Sequence, residues 1–213
     1  MFIGYYNLAN FITLTGLASS VTAICLAGYG HYELAVIALI IAGISDMFDG
    51  RVAHMVVRDD KKAKMFGIQI DTVCDMVSFG ITPAVILYLL GCNKWYDVIL
   101  LIVYATCGAI RLAYFNTQAI TETKDLSLKQ FTGVPIPTIC FVLPVLVVGL
   151  KYIDASIMIW VFRACYLALG LLYISKIKIK KPGVLATVII LLFAAAGVCW
   201  LLFAPYVGPM VSA

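Results

Sequence analysis

The stretch SDMFDGRVAHMVVRDDKKAKMFGIQIDTVCD, from Ser45 to Asp75, sets Asp46, Asp49, Asp71 and Asp75 in strongly apolar surroundings. The whole chain shares that character. Of its 213 residues 63% are hydrophobic and 12% charged, and the mean hydropathy is +1.04. A soluble domain is nearer half apolar and a quarter charged. The composition predicts an integral membrane protein and excludes a large water-soluble core. A net charge of +4 is ordinary for a protein with cytoplasmic loops and gives no reason to expect a nucleic-acid partner.

Apolar runs near residues 8–29, 32–57, 65–91, 95–118, 134–150, 153–174 and 184–206 are each about long enough to cross a bilayer as helix. Helix is the expected element, because in lipid each backbone polar group must find its partner within the segment. The pattern predicts an all-α polytopic helix bundle of about six to eight transmembrane helices, with 134–150 the shortest run. One catalytic domain is expected over 1–213, with its motif core at 8–140 and C-terminal helices at 153–206. The opening MFIGYYNLANF lacks a basic leader, so no cleaved signal peptide is expected. The seven cysteines are scattered without a CxxC pair and read as small buried hydrophobes.

Lys and Arg set the expected orientation. With the N-terminus inside, cytoplasmic loops hold Arg51, Arg58, Lys61, Lys62, Lys64, Lys124, Lys129, Lys176, Lys178, Lys180 and Lys181. That is eleven, against Lys94 and Lys151 outside. The second helix then ends, and the third begins, on the cytoplasmic side. Asp46 and Asp49 come to the same depth as Asp71 and Asp75. The run KIKIKK at 176–181 reads as a positive-inside anchor, with anionic-lipid binding as the sharper alternative.

Asp46 and Asp49, three apart, share one helix face; Asp71 and Asp75, four apart, share another. A carboxylate at mid-membrane depth costs about 2.5–3.5 kcal/mol, and less near the interface. Solvated loop lysines neutralise such a cluster poorly, whereas a pair of divalent cations does so well. Two-metal sites clamp the attacking and leaving oxygens of a phosphoryl displacement. All-oxygen ligands favour Mg²⁺ or Mn²⁺, with Ca²⁺ also compatible, over zinc. Gly50, Ala53 and Gly67 beside the acids either pack helices closely or leave room for a bulky ligand.

The pattern DMFDGRVAH…GIQIDTVCD resembles the signature of the CDP-alcohol phosphotransferase family, D-x2-D-G-x2-A-R followed by G-x3-D-x3-D. It matches at Asp46, Asp49, Gly50, Ala53, Gly67, Asp71 and Asp75. His54 stands where the family has arginine, and the spacer before Gly67 is about one helical turn longer. Arg51 or Arg58 is available to replace the guanidinium. The resemblance implies transfer of a phosphatidyl-type group from a CDP-linked lipid to an alcohol, with release of CMP. It also implies metal ligation by Asp46, Asp49, Asp71 and Asp75, with Asp75 as general base. The remaining implications are an active site on the cytoplasmic side of the cell membrane and a homodimer. Asn10 and Thr13 resemble the family's N-x2-T element near the nucleotide; their plain alternative is a helix N-cap and a buried hydroxyl.

Three further stretches, DMVSFGITPA after Asp75, RLAYFN at 111–116 and FTGVPIPT at 131–138, resemble the membrane-embedded phosphatidylserine synthase branch. Serine as acceptor and CDP-diacylglycerol as donor follow from that likeness. Arg111 then reads as a bidentate clamp on the serine carboxylate or donor phosphate, or as a salt bridge to the acids. Ser78 and Asn116 are candidate polar contacts to the acceptor. Glycerol phosphate or inositol phosphate as acceptor, or an archaeal-type lipid donor, is the alternative within the class. A transporter is the rival outside it; the clustering of the acids at one membrane face and the lack of a visible repeat speak against that.

Overall fold

The computed structural model describes residues 3–56, 61–121, 130–180, 197 and 200. Its helices are α1 (Leu8–Gly28), α2 (Tyr32–Val56), α3 (Lys61–Asp75), α4 (Thr82–Leu89), α5 (Trp95–Thr121), α6 (Ile139–Gly149) and α7 (Ala155–Ile174). A π turn, Met76–Ile81, joins α3 to α4, and a 3₁₀ turn, Ile136–Thr138, leads into α6. Short strands β1 (Gln130–Thr132) and β2 (Lys178–Lys180) pair antiparallel.

Among the described residues, four stretches are long and apolar enough to cross a membrane: Leu8–Gly28, Lys62–Leu89, Trp95–Gln118 and Ala155–Ile174. At 25 residues α2 has the length too, about 38 Å at 1.5 Å per residue, but it carries Glu33, Asp46 and Asp49. The run expected at 134–150 forms a shorter apolar helix, Ile136–Gly149. Its entry is shaped by Pro135 and Pro137, and Pro144 lies inside it. The run expected at 184–206 lies outside the described residues apart from 197 and 200.

α1 begins with Asn7 as its N-cap, whose Oδ1 accepts from the Asn10 backbone N–H (2.8 Å). The capping role considered for Asn10 therefore falls to Asn7. Gly30, at φ +82°, reverses the chain after α1, as a residue with no Cβ does freely. α2 then runs back along α1. Buried Ala23, Ala27, Ala35, Ala38 and Ala42 let the two backbones approach. A Cβ on Gly16 would stand 3.2 Å from the Ser45 Cβ, and Ser19 Oγ donates to the Ala38 carbonyl (2.7 Å).

The π turn has a local cause. Pro83 has no N–H to offer the turn before it. The Thr82 N–H reaches back five residues to the Val77 carbonyl, and the Tyr104 hydroxyl on α5 donates to the Phe79 carbonyl (2.7 Å). Tyr166 on α7 donates to the Pro83 carbonyl (2.9 Å) and Tyr173 to that of Ile136 (3.1 Å). Of these carbonyls, that of Phe79 is the one that Pro83, four residues on, leaves without a helical donor.

At the other end of the bundle, Arg163 on α7 grips Asp97 in the first turn of α5 with two hydrogen bonds (2.6 and 3.1 Å). Lys151 pairs with Glu33 at 3.7 Å. Glu33 and Asp49 lie on one helix sixteen residues apart, so about 24 Å separates this end from the aspartates. The expected outside lysine, Lys151, thus meets the start of α2, consistent with alternating helix directions.

The β1–β2 pair is an addition to the all-α expectation. Gly133, at φ +80°, turns the chain after β1, and its N–H donates to the Ile177 carbonyl (2.7 Å). A Cβ there would come within 3.0 Å of the Ser175 carbonyl oxygen. Of the cysteines, Cys74, Cys92, Cys107 and Cys140 are buried as expected, Cys165 is half-buried and Cys25 is exposed, all as free thiols. Cys199 lies outside the described residues.

Candidate active site

Two helix ends build the acidic centre. α2 delivers Asp46 and Asp49 on one face in its last turns, and α3 delivers Asp71 and Asp75 in its own. Residues 57–60 between them lie outside the described residues. Asp46, Asp49 and Asp71 each turn one carboxylate oxygen to a common point, and these oxygens lie within 4.8 Å of one another. Asp75 stands outside that trio, with its carboxyl beside that of Asp46.

The trio suits a hard divalent cation. Oxygens bound to Mg²⁺ at 2.0–2.1 Å stand at most about 4.2 Å apart, so the observed spacing needs little closure. Asp71 Oδ1 is buried and has no hydrogen-bond partner. A buried carboxylate oxygen without a partner is costly, and a bound cation removes that cost. The donor set is all oxygen, which disfavours zinc.

α1 supports this centre. Thr13 Oγ1 donates to Asp49 Oδ2 at 2.6 Å. Asn10 is buried, its Nδ2 donates to the Tyr5 carbonyl (2.7 Å), and its Oδ1 lies 3.4 Å from where a Gly67 Cβ would stand. Asn10, Thr13, Asp49 and Gly67 thus come together from three helices. Gly50 is exposed, and nothing lies within 4 Å of its Cβ position, so space is open directly beside Asp49. Ala53 belongs to α2, but its surroundings, like those of Arg51 and His54, lie outside what is described, as does Arg58 altogether.

Arg111 is 7% exposed, its Nε has no partner, and its guanidinium lies over the Phe115 ring, 4.3 Å from the centroid. Among the described residues it makes no ion pair within 4.0 Å with the acids, so the salt-bridge alternative is not formed. Ser78 is buried and accepts from Ser20 Oγ (2.7 Å). Asn116 is half-buried and five residues beyond Arg111, about 140° round the helix, so the two do not share a face. Sequence reasoning missed Ser20, the tyrosine hydroxyls and the Asp97–Arg163 pair. Their partners lie 25 to 83 residues away, where no local periodicity reaches.

A membrane helix bundle that gathers carboxylates from two consecutive helices at one end is a scaffold for cation-assisted phosphoryl transfer. The chain belongs to the CDP-alcohol phosphatidyltransferase family, whose model matches residues 6–207. This family is generally dependent on divalent metal, in keeping with the aspartate trio. The chain is similar to the CDP-diacylglycerol–serine O-phosphatidyltransferase of Saccharomyces cerevisiae, 32% identical over 155 residues, 71% of this chain and 50% of that protein. The enzyme of the same name from Methanocaldococcus jannaschii is 31% identical over 178 residues, 82% of this chain and 74% of its own length. An archaetidylserine synthase from Methanothermobacter thermautotrophicus is 29% identical over 134 residues, 62% and 54% respectively. The chain spans about half the length of the first of these relatives.

Proposed function

We propose that this chain transfers the phosphatidyl group of CDP-diacylglycerol to the hydroxyl of L-serine, forming phosphatidylserine and CMP. The observation that carries the reading is the trio of Asp46, Asp49 and Asp71 around one point, with Asp71 Oδ1 left unpartnered, in a chain of this family. The likeness to enzymes named for serine supports the acceptor. Residues 1–213 act as one membrane-embedded catalytic unit. The unit is a homodimer in the cell membrane, with its N-terminus and acidic centre on the cytoplasmic side.

Asp46, Asp49 and Asp71, with Asp75 completing the set, hold two divalent ions, Mg²⁺ or Mn²⁺. When bound, these ions neutralise the pyrophosphate and stabilise the departing CMP. Asn10, Thr13, Gly50, Ala53 and Gly67 form the donor side, with the open space at Gly50 admitting the nucleotide. Arg111 offers its free guanidinium edge to the serine carboxylate or the donor phosphate. Ser78 and Asn116 are the secondary acceptor contacts. The serine oxygen attacks the lipid-bearing phosphorus, the bond to the CMP oxygen breaks, and the hydroxyl proton passes to the Asp75 carboxylate.

The test is CMP release from CDP-diacylglycerol with Mg²⁺ or Mn²⁺ and each alcohol in turn. Release with serine, and not with glycerol phosphate or inositol phosphate, is the expected result. Release only with a phosphorylated alcohol overturns the acceptor. The similarity to an archaetidylserine synthase makes an ether-linked CDP-lipid the one other donor to run beside it.

A further inference from the structure

The π turn Met76–Ile81 begins at the residue after Asp75. A wider turn with i→i+5 hydrogen bonds is less favourable than α-helix and persists only where its surroundings hold it. Here three contacts do so. The Tyr104 hydroxyl donates to the Phe79 carbonyl (2.7 Å) from a fully packed position, 1% exposed. Ser20 Oγ donates to Ser78 Oγ (2.7 Å). The Met76 side chain lies over Gly80, with Cε 2.8 Å from where a Cβ would stand.

We propose that Tyr104 is a positioning residue: by holding the Phe79 carbonyl it keeps the turn in π register, and so fixes where Asp75 stands against Asp46. The proposal rests on the reading of Asp75 as the base. Pro83 makes the tyrosine necessary, because its missing N–H leaves the helix no donor of its own four residues after Phe79. The Tyr173 hydroxyl, 3.4 Å from that of Tyr104, has its proton committed to the Ile136 carbonyl (3.1 Å) and does not substitute for it. The trio of Asp46, Asp49 and Asp71 draws on α2 and α3 ahead of the turn. Binding of an ion at the trio therefore does not depend on Tyr104, whereas the placement of the base does.

The experiment uses the full chain in detergent or nanodiscs. Tyr104→Phe keeps the ring and removes the donor. Its kcat is expected to fall about tenfold to a hundredfold, as small misplacement of a reacting group does, while KM for both substrates and binding of the first Mn²⁺ by electron paramagnetic resonance stay as in wild type. Tyr166→Phe is the matched control, since it loses an equally buried hydroxyl bonded to the same helix at Pro83. It is expected to lose thermal stability and keep kcat. In the double variant Tyr104→Phe/Pro83→Ala, the restored N–H satisfies the Phe79 carbonyl in α register, so stability returns while kcat stays low. Equal kcat in the two single variants, or kcat recovering together with stability in the double variant, overturns the proposal. So does a Tyr104→Phe protein recovered only unfolded and without bound Mn²⁺, which would make the hydroxyl a support for the whole fold. Hydrogen–deuterium exchange, faster over residues 76–84 in Tyr104→Phe, tests the held turn without turnover. If wild type releases no CMP with any alcohol, the functional reading fails, and unchanged exchange in this arm still overturns the positioning role independently.

Discussion

Thr13 Oγ1 on α1 donates to Asp49 Oδ2 on α2 at 2.6 Å, across 36 residues of sequence. The bond ties the N-terminal helix to the acidic centre. Thr13→Val keeps the shape and removes the donor. A hydrogen bond to a charged group contributes about 1.5–3 kcal/mol. The divalent concentration for half-maximal CMP release should rise by about tenfold or more, with serine KM unchanged. Metal titration of turnover checks this, and an unmoved midpoint would make the bond purely structural.

Asp46→Asn, Asp49→Asn and Asp71→Asn should each abolish turnover at ordinary metal concentration. Each removes a charge from oxygens gathered within 4.8 Å. Excess Mn²⁺ should recover part of the activity at most. Full activity in any one of them without added metal argues against a two-ion centre.

The acidic centre was legible because its chemistry is local. Two aspartates three apart and two four apart fix their helix faces whatever surrounds them. What sequence did not yield was set by contacts between distant helices. The π turn has a proline as its only local sign, and its tyrosine donors come from α5 and α7. The alternation in KIKIK carries the period of a strand. It reads as a charged anchor because pairing needs Gln130–Thr132, 46 to 50 residues earlier. Asn10 and Asn7 are one turn apart, and only the geometry decides which of them caps α1.

Gly50 faces open space. Gly50→Ala should therefore fold at least as well as wild type, since alanine favours helix by about 1 kcal/mol. If the nucleotide occupies that space, the donor KM should rise while serine KM does not. Thermal unfolding and two-substrate kinetics separate the effects. A donor KM that stays put places the nucleotide elsewhere.

At the far end, Asp97 is 1% exposed and Arg163 is its partner. Arg163→Leu leaves a buried carboxylate unpaired, a loss of about 3–5 kcal/mol. Arg163→Leu/Asp97→Asn should be less destabilised than Arg163→Leu alone. Residual kcat of the folded fraction should match wild type, because this pair lies about a full helix length from the aspartates. Unfolding midpoints and turnover in one preparation check both statements.

Asp75 separates binding from chemistry. It lies outside the oxygen trio, beside Asp46. Asp75→Asn leaves three acids to hold at least one ion, so CDP-diacylglycerol should still bind in the presence of Mg²⁺ or Mn²⁺. Transfer should fail, because the serine hydroxyl keeps its proton; a positioned base contributes about 10²–10⁴-fold. Asp46→Asn, by contrast, should damage both binding and transfer. Calorimetry with the nucleotide lipid, run beside CMP release, compares the two variants directly. Equal loss of binding reduces Asp75 to a ligand, and appreciable turnover by Asp75→Asn removes it as the base.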